Sequence, residues 1–265
     1  MKKRWILMVS GLVMAGVMAL GEMPVMAEST ENEISAPVYA TQEILVADGN
    51  SGVQEKEEAE YVTFGEYPKG KPIEWIVLDE QNGKKLLLSR YNLDFMAYNH
   101  KDKSVTWQTS DLRKWMNSYF YLFAFSFKEK AYIKKAALKN EDSPSGTDGG
   151  KDTKDWVFAL SLNEIYEYFG MRDPQTGEIM TDPDTGKPVI DSDALKTVCI
   201  DEKRPQYMYE GDTVPSAVED PDFFFTRTPG SYSRSVSIVL PAGGVAGGEA
   251  VFREHGVRPA IWVSD

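Results

Sequence analysis

Gly256-Val257-Arg258-Pro259-Ala260-Ile261-Trp262-Val263 lies within the last ten residues of the chain and indicates how the fold closes. The residues after Pro259 are apolar without interruption, which predicts a buried strand. Pro259 also restricts the residue before it, Arg258, to an extended backbone. We therefore expect Arg258 to enter the edge of the core, where its guanidinium donates to backbone carbonyls or to a carboxylate.

Upstream of this strand, short apolar segments alternate with turn residues, as is typical of an antiparallel sheet. Asn82-Gly83 separates two such segments and is the strongest short signal for a hairpin. The glycine-rich residues 243–248 predict a wide turn between two late strands, because glycine adopts the positive φ that such turns need. Strands are predicted over residues 73–78, 85–89, 156–160, 223–226, 235–240, 249–252 and 258–263.

Three helices are predicted from capping residues that precede regularly spaced apolar positions. Ser110 caps the first helix. Residues 126–129 and 161–164 each place a serine three residues before a glutamate, which is a capping box. The helix that starts at the first box is expected to extend to about residue 138, and the next one to stop at Gly170.

Two polar segments separate these elements. Residues 140–154 are rich in glycine, serine and aspartate and predict a loop. Residues 171–193 contain two turns of the form Asp-Pro-x-Thr-Gly, which predict a hairpin insertion. Asp182 and Asp184 in the second turn are spaced as in a calcium loop, but the bidentate glutamate of such a loop is missing. We therefore expect turn chemistry here and no metal site.

A second unusual string lies far from the closing strand: Trp107-Gln108-Thr109-Ser110-Asp111-Leu112-Arg113-Lys114-Trp115-Met116-Asn117. Together with Gly256-Val257-Arg258-Pro259-Ala260, it resembles DUF6273, a family of exported bacterial domains common in Firmicutes. The resemblance implies an α+β fold, namely a single C-type lectin-like (formylglycine-generating-enzyme-like) domain with an irregular antiparallel sheet and two to three helices. The chain departs from the family at residues 225–228, where the family usually has Trp-Leu-Arg-Ser.

Residues 1–27 have the composition of a secretory signal peptide. Three basic residues precede an uncharged apolar run at residues 5–20, and small or apolar residues end at Ala27. An uncleaved membrane anchor is the alternative, although the run is shorter than the ~20 residues that a spanning helix needs. The sequence therefore predicts cleavage after Ala27, a secreted or cell-surface location, and no stable membrane span after cleavage.

Residues 28–60 are predicted to form an acidic disordered spacer before a domain at residues 61–265. They contain nine acids, one base and one aromatic residue, Tyr39, too little apolar content to fold alone. One short strand at residues 43–47 is the alternative. The whole chain has a net charge of −12, which argues against nucleic acid as a partner and against anionic membranes.

Residues suited to catalysis or metal binding are scarce. Cys199 is the only cysteine, so no intrachain disulfide can form, and a formylglycine-generating enzyme would need a pair of cysteines. Its apolar neighbours predict a buried, inert thiol. Only His100 and His255 are histidines. Glu254 and His255 are adjacent, so on a strand they would face opposite sides and could not bind one zinc ion together. No catalytic residue, metal site or cofactor is predicted.

Three arginines lie among apolar residues and allow two interpretations. A guanidinium can recognise a carboxylate or a sugar through paired donors, or it can satisfy buried backbone groups. We favour the structural interpretation for Arg113 and Arg258 and leave both open for Arg227. Arg227 precedes a polar and aromatic loop at residues 229–234 that suits contact with a sugar or peptide. The predicted ligand-binding residues are Arg227, Ser231, Tyr232, Arg234 and His255.

These observations favour a secreted, non-catalytic binding module that recognises a glycan, a peptide or a cell-surface protein. An extracellular enzyme that uses the same late loops is the second hypothesis, and clustered acids or a metal site there would favour it. A purely structural extracellular domain is the third, and a surface without any pocket would favour that one.

Overall fold

The computed structural model describes residues 38–40, 60–200 and 222–264, all within the compact unit Ser35–Asp265. The strands are β1 (Val38–Ala40), β2 (Tyr61–Glu66), β3 (Pro72–Gln81), β4 (Lys84–Ser89), β5 (Asp94–Ala97), β6 (Ile133–Lys134), β7 (Ala136–Leu138), β8 (Thr153–Asp155), β9 (Phe224–Pro229), β10 (Ser235–Val239), β11 (Val245–Ala250), β12 (Glu254–Val257) and β13 (Ala260–Ser264). The helices are α1 (Asp111–Trp115), α2 (Tyr121–Ala124), α3 (Phe127–Tyr132), α4 (Leu162–Phe169) and α5 (Ser192–Leu195), with a π-helical turn at Met116–Phe120 and a 3₁₀ turn at Trp107–Thr109.

Two mainly antiparallel sheets and a two-stranded ribbon organise the chain. The first sheet has the order β1-β2-β3-β4-β13-β6, the second has the order β11-β10-β9-β12-β5, and β7 pairs with β8. The closing strand β13 lies inside the first sheet, where it pairs antiparallel with both β4 and β6. The predicted mixture of mostly antiparallel sheet with few helices is therefore confirmed, as is the buried closing strand.

The hairpin between β3 and β4 turns at Asn82-Gly83, as predicted. Both residues have positive φ, 51° for Asn82 and 68° for Gly83. Such a pair gives a two-residue turn whose twist matches the flanking strands. Strand β1 adds to the same sheet and belongs to the predicted spacer, so three spacer residues form an edge strand. The predicted signal peptide and the alternative strand at residues 43–47 lie outside the described residues.

Arg258 is built into the core, as its sequence context predicts. Its side chain is 2 % exposed, and it donates from Nε to the Ser89 carbonyl oxygen and from Nη1 to that of Leu195, each at 2.9 Å. Its guanidinium also lies 5.1 Å from the centre of the Phe224 ring. Burial lowers the pKa of Arg258 to about 9, which leaves the group charged at neutral pH. One arginine thereby joins β4, α5 and β9.

The helical string at residues 107–117 is tied to the chain around residue 155. Trp107 Nε1 donates to Asp155 Oδ2 at 2.9 Å, and Arg113 Nε donates to Asp155 Oδ1 at 2.8 Å. Asn117 Nδ2 donates to the Val157 carbonyl oxygen at 2.7 Å, while its Oδ1 accepts from the Trp156 N–H at 2.8 Å. Arg113 is therefore a structural residue. The string at residues 107–117 thus fixes a helix against the segment that leads into α4.

Two elements have bounds that differ from the predicted ones, because their residues bond to partners that are distant in sequence. Helix α3 ends at Tyr132 rather than near residue 138, because Ile133–Lys134 pairs with β13 and Ala136–Leu138 pairs with β8. The strand expected at 156–160 lies at Thr153–Asp155 instead. The backbone N–H groups that follow β8 donate to the Asn117 side chain and are not available to a strand ladder.

The glycine-rich residues 243–248 also differ in structure from the predicted wide turn. Strand β11 continues through Gly247-Gly248, so the wide turn covers only the start of residues 243–248, and the strand expected at 249–252 begins and ends earlier. A register shift between Val236 and Ile238 places the two glycines opposite Ser237. At this bulge two residues of β11 lie opposite one residue of β10, and the two strands remain paired on both sides of it. Strand β12, which the sequence analysis did not predict, follows directly.

Candidate functional site

A groove of about 450 Å³ lies where α4, the hairpin insertion, the β9–β10 turn and β11 meet. It lies on the late loops, where ligand contact was predicted. Its walls are mostly apolar and its polar groups are few, which is the usual composition of a small-ligand site. It is lined by Ser143, Pro144, Ser145, Leu162, Tyr166, Gly186, Lys187, Pro188, Gly230, Ser231, Ser237, Val245, Ala246, Gly247 and Gly248.

Helix α4 supplies one wall through Leu162 and Tyr166. The helix begins at the predicted capping box, where the Glu164 N–H donates to Ser161 Oγ at 3.1 Å and the Ser161 N–H donates to Glu164 Oε2 at 2.9 Å. Partial burial raises the pKa of the Tyr166 hydroxyl. Tyr166 is therefore neutral at physiological pH and offers the groove an aromatic ring and a hydroxyl.

The opposite wall is bare backbone from β11. Gly247 and Gly248 are both exposed, and a Cβ on Gly248 would meet nothing within 4 Å. Gly230 must be glycine for a different reason, since its Cβ would come within 2.3 Å of the Gly247 carbonyl oxygen. This close approach lets the β9–β10 turn fold over β11, where the Ser231 N–H donates to that same carbonyl.

The polar lining consists of hydroxyls and one cation. Ser143, Ser145, Tyr166, Ser231 and Ser237 carry the hydroxyls, and Lys187 provides the only formal charge among the lining residues. The Ser237 hydroxyl is buried and donates to the Pro229 carbonyl oxygen at 2.9 Å. No carboxylate, imidazole or thiol is among those residues. Such a set can orient a neutral or weakly acidic ligand by hydrogen bonds, but it offers no paired groups for proton transfer.

Of the five predicted ligand-binding residues, one lines the groove, a second contacts a lining residue, and a third lies on the same turn. Ser231 lines it. Tyr232 is 47 % exposed, and its hydroxyl donates to the Gly248 carbonyl oxygen at 3.4 Å. Arg234 lies on the exposed turn and pairs with Asp102 at 3.0 Å.

The other two predicted residues are buried in the scaffold. Arg227 is 4 % exposed and pairs with both carboxylate oxygens of Glu164. His255 is also buried, with Phe223 and Phe225 ring centres within 5.4 Å of its own and its Nε2 lying 3.4 Å from Glu249 Oε1. The structure thus does not bring the five residues together. It assigns Arg227 to the support of α4.

Sequence reasoning missed the contributions of Tyr166, Lys187 and the Gly247-Gly248 pair. Tyr166 lies in a helix that was predicted, but nothing local shows that one side of this helix faces a groove. Lys187 follows the second turn of the insertion, which brings it to this site only through tertiary folding. The adjacent glycines were a usable signal, because paired glycines within a strand often mark a bulge or a close approach.

Two absences hold within the residues that the structure describes. None of the helices there is both long and apolar enough to cross a membrane. Within the same residues, histidine, cysteine, aspartate and glutamate form no group of three or more that could hold a metal ion.

The chain matches the model of a protein-domain family. No curated protein matches the chain, and no solved structure matches it. The family model described as "Domain of unknown function (DUF6273)" matches residues 82–265. This span includes the string at 107–117, the closing strand and every residue that lines the groove. The chain therefore belongs to the DUF6273 family.

Proposed function

We propose that this domain is a non-catalytic binding module that holds an extended peptide in the groove beside β11. One observation carries the proposal: β11 is the outermost described strand of its sheet, it lines the groove, and a Cβ on Gly248 would meet nothing within 4 Å. The Gly247 and Gly248 carbonyl oxygens already accept from the Ser231 N–H and the Tyr232 hydroxyl, so a peptide would pair with other main-chain groups of β11. An extended peptide can add to such an edge through main-chain hydrogen bonds, while adjacent pockets select its side chains.

The lining groups support binding rather than catalysis. Serine hydroxyls, the Tyr166 hydroxyl and exposed main chain orient a ligand without transferring protons. Lys187 would favour a ligand with an acidic group near the hairpin insertion. An enzyme on the same fold is the alternative, but it would need acid–base groups that the lining residues do not include. A purely structural role is less favoured, because the surface does contain a formed groove.

A glycan is the second candidate ligand, and Tyr232 is the observation that favours it. This exposed ring follows Ser231 in the chain, and its hydroxyl donates to the carbonyl oxygen of Gly248, which lines the groove. Aromatic faces with adjacent hydroxyls can stack on and hydrogen-bond to a sugar. A glycan would not, however, pair with the main chain of the outermost strand β11 as an extended peptide would.

The proposal includes export and a C-type lectin-like fold. Export is supported by the basic residues, the apolar run and the small residues that precede residue 28. The fold is supported by the resemblance of the motifs, by the mainly antiparallel sheets and by the internal position of β13. In this setting the groove would meet a peptide or glycan at the bacterial cell surface.

Peptide and glycan arrays probed with the exported protein test this function, followed by titration of the best array ligand. Gly248→Val adds a branched side chain to open space at the groove, so we expect an unchanged melting temperature and at least tenfold weaker binding. Ala137→Val, at an exposed strand position away from the groove, is the matched control and should change neither. Equal affinity of the two variants, or arrays without any ligand, would overturn the proposal.

A further inference from the structure

A second surface, far in sequence from the groove residues of the late loops, exposes large apolar side chains. Tyr119, Leu122, Phe123 and Phe127 come from nine consecutive residues, and Phe123 is 67 % and Phe127 92 % exposed. Single exposed apolar residues are common on soluble proteins, but a cluster of them marks an interaction surface. We call these four residues the aromatic patch.

Folding does not explain the aromatic patch. The core-facing side of the same helical segment is already buried through Leu112, Met116 and Phe120. Helix α3 contains no buried residue at all, so Phe127 contributes nothing to the core. Because these side chains stay in water, the fold lacks the free energy that their burial would contribute. A helix with only a structural role would bury them or replace them with polar residues.

Polar contacts hold the patch in place. The Glu129 carboxylate accepts from the Ser126 N–H at 2.7 Å and from the Gly65 N–H at 3.0 Å, which fixes the start of α3. Lys130 Nζ donates to the Leu122 carbonyl oxygen at 2.8 Å and so joins α3 to the end of α2. The rings of Tyr119 and Phe123 lie 4.7 Å apart. The hydrogen bonds therefore fix the backbone that carries the patch, and two of its four side chains are in direct contact, namely Tyr119 and Phe123.

The charge around the patch is opposite to that of the chain as a whole. Residues 111–135 contain six basic and two acidic residues, whereas the chain has a net charge of −12. Arg113 pairs with Asp155 and Lys114 pairs with Asp111, while the Glu129 carboxylate accepts from the Ser126 and Gly65 N–H groups. Four lysines therefore remain against one capped carboxylate. Lys128 and Lys135 are exposed. A partner for this surface must therefore combine an apolar medium with negative charge.

We propose that the aromatic patch and its lysines bind the interface of an anionic lipid bilayer. Aromatic and leucine side chains enter the boundary between headgroups and acyl chains, while lysines remain at the anionic headgroups. Phe127 projects almost completely into solvent, which suits a fluid layer that can surround it. The acidic remainder of the chain opposes this contact only weakly, because charges more than about 10 Å away are screened at physiological salt.

A second copy of the chain fits the surface less well. A symmetric dimer would place the same patch on both sides, and the lysines that flank it would then face one another. The patch residues do not line the groove, so this inference and the proposed function can fail separately.

Co-sedimentation with vesicles tests the inference at 0.15 M salt. We expect the full chain to bind vesicles of phosphatidylglycerol and phosphatidylcholine at least tenfold more strongly than vesicles of phosphatidylcholine alone. The double variant Phe123→Ser/Phe127→Ser should lose at least tenfold in binding to the anionic vesicles. Met171→Ser/Met180→Ser, which removes two other exposed apolar side chains, should bind as the parent does.

Circular dichroism and melting temperature should be unchanged in both double variants, because all four positions are exposed. The apolar run at residues 5–20 is identical in all three proteins, so binding through that run would survive the patch substitutions. Equal binding of the parent and the Phe123→Ser/Phe127→Ser variant would therefore overturn the inference. So would equal binding to both vesicle types, or a dimer in solution that the same substitutions dissociate.

Discussion

Arg227 and Glu164 form a bidentate ion pair that joins β9 to the first turn of α4. Arg227 Nη2 donates to Glu164 Oε1 at 2.7 Å, and Nη1 donates to Oε2 of the same carboxylate. Because Glu164 also completes the capping box of α4, one carboxylate fixes both the helix start and its position on the second sheet. The helix wall of the groove depends on this pair.

Removal of Arg227 should therefore destabilise the fold. Arg227→Met leaves the Glu164 charge partly buried without its partner, and we expect a loss of about 3 kcal/mol in the free energy of unfolding. Arg234→Ala breaks an exposed pair and should lose less than about 1 kcal/mol. Urea unfolding measures both. Equal stability of Arg227→Met and the parent, with ligand binding lost, would move Arg227 from the scaffold to the site.

Arg258→Ala should also lower stability, because two buried carbonyl groups lose their donor. A loss of about 2 kcal/mol or more is expected, since each unsatisfied buried group costs about 1–3 kcal/mol. Arg172 is a matched control: it donates to the carbonyl oxygens of Gly177 and Glu167 at 3.0 Å but is exposed. Arg172→Ala should change stability much less, because water replaces the lost donor. Similar melting temperatures for the two variants would show that burial is not the reason for the effect.

The thiol of Cys199 should be unreactive in the folded protein. The residue is 1 % exposed, and an aromatic disulfide reagent should modify no thiol in native buffer and one thiol per chain in urea. Cys199→Ala should cost about 1 kcal/mol of stability and leave ligand binding unchanged. Rapid modification of the native protein would show that the site opens to solvent.

Asp111 should contribute a specific step to acid unfolding. Burial alone would raise its pKa, but hydrogen bonds from Lys114 and from the backbone and ring of His100 outweigh burial and lower the pKa to about 2. A carboxyl with a lowered folded-state pKa stabilises the fold above its unfolded pKa of about 3.9, and this contribution is lost as the pH falls toward 2. Urea midpoints between pH 6 and 2 should therefore decline less steeply for Asp111→Asn than for the parent. Parallel pH profiles would contradict this assignment.

Elements with short-range hydrogen bonds could be predicted from the sequence. The Asn82-Gly83 turn, the capping boxes at Ser126 and Ser161 and the two Asp-Pro-x-Thr-Gly turns all occur where expected. In each of them the donor and acceptor are only a few residues apart, so local residue identity decides the geometry. Of the candidate site, only the β9–β10 turn with Ser231 and Tyr232 could be predicted from the sequence.

Elements whose partners are distant in sequence were not predictable. Helix α3 stops early because Ile133–Lys134 can pair with β13, about 130 residues later, and Asn117 ends the ladder of β8 from 39 residues away. The sequence left two interpretations of Arg227 open, because its ion-pair partner Glu164 lies 63 residues away in the chain. The groove itself combines segments that are distant in the chain, from residue 143 to residue 248, and that have no common sequence signal.

The sequence by itself determined the family, the closing strand, the caps and the tight turns, because these depend on residues that are adjacent in the chain. Only the tertiary structure decided which arginines are scaffold, how far β11 extends and that Tyr166 and Lys187 share a groove with Ser231. These features depend on pairings between distant strands and on burial. Both arise only when the whole chain packs, since the free energy of a distant contact cannot be read from either partner alone.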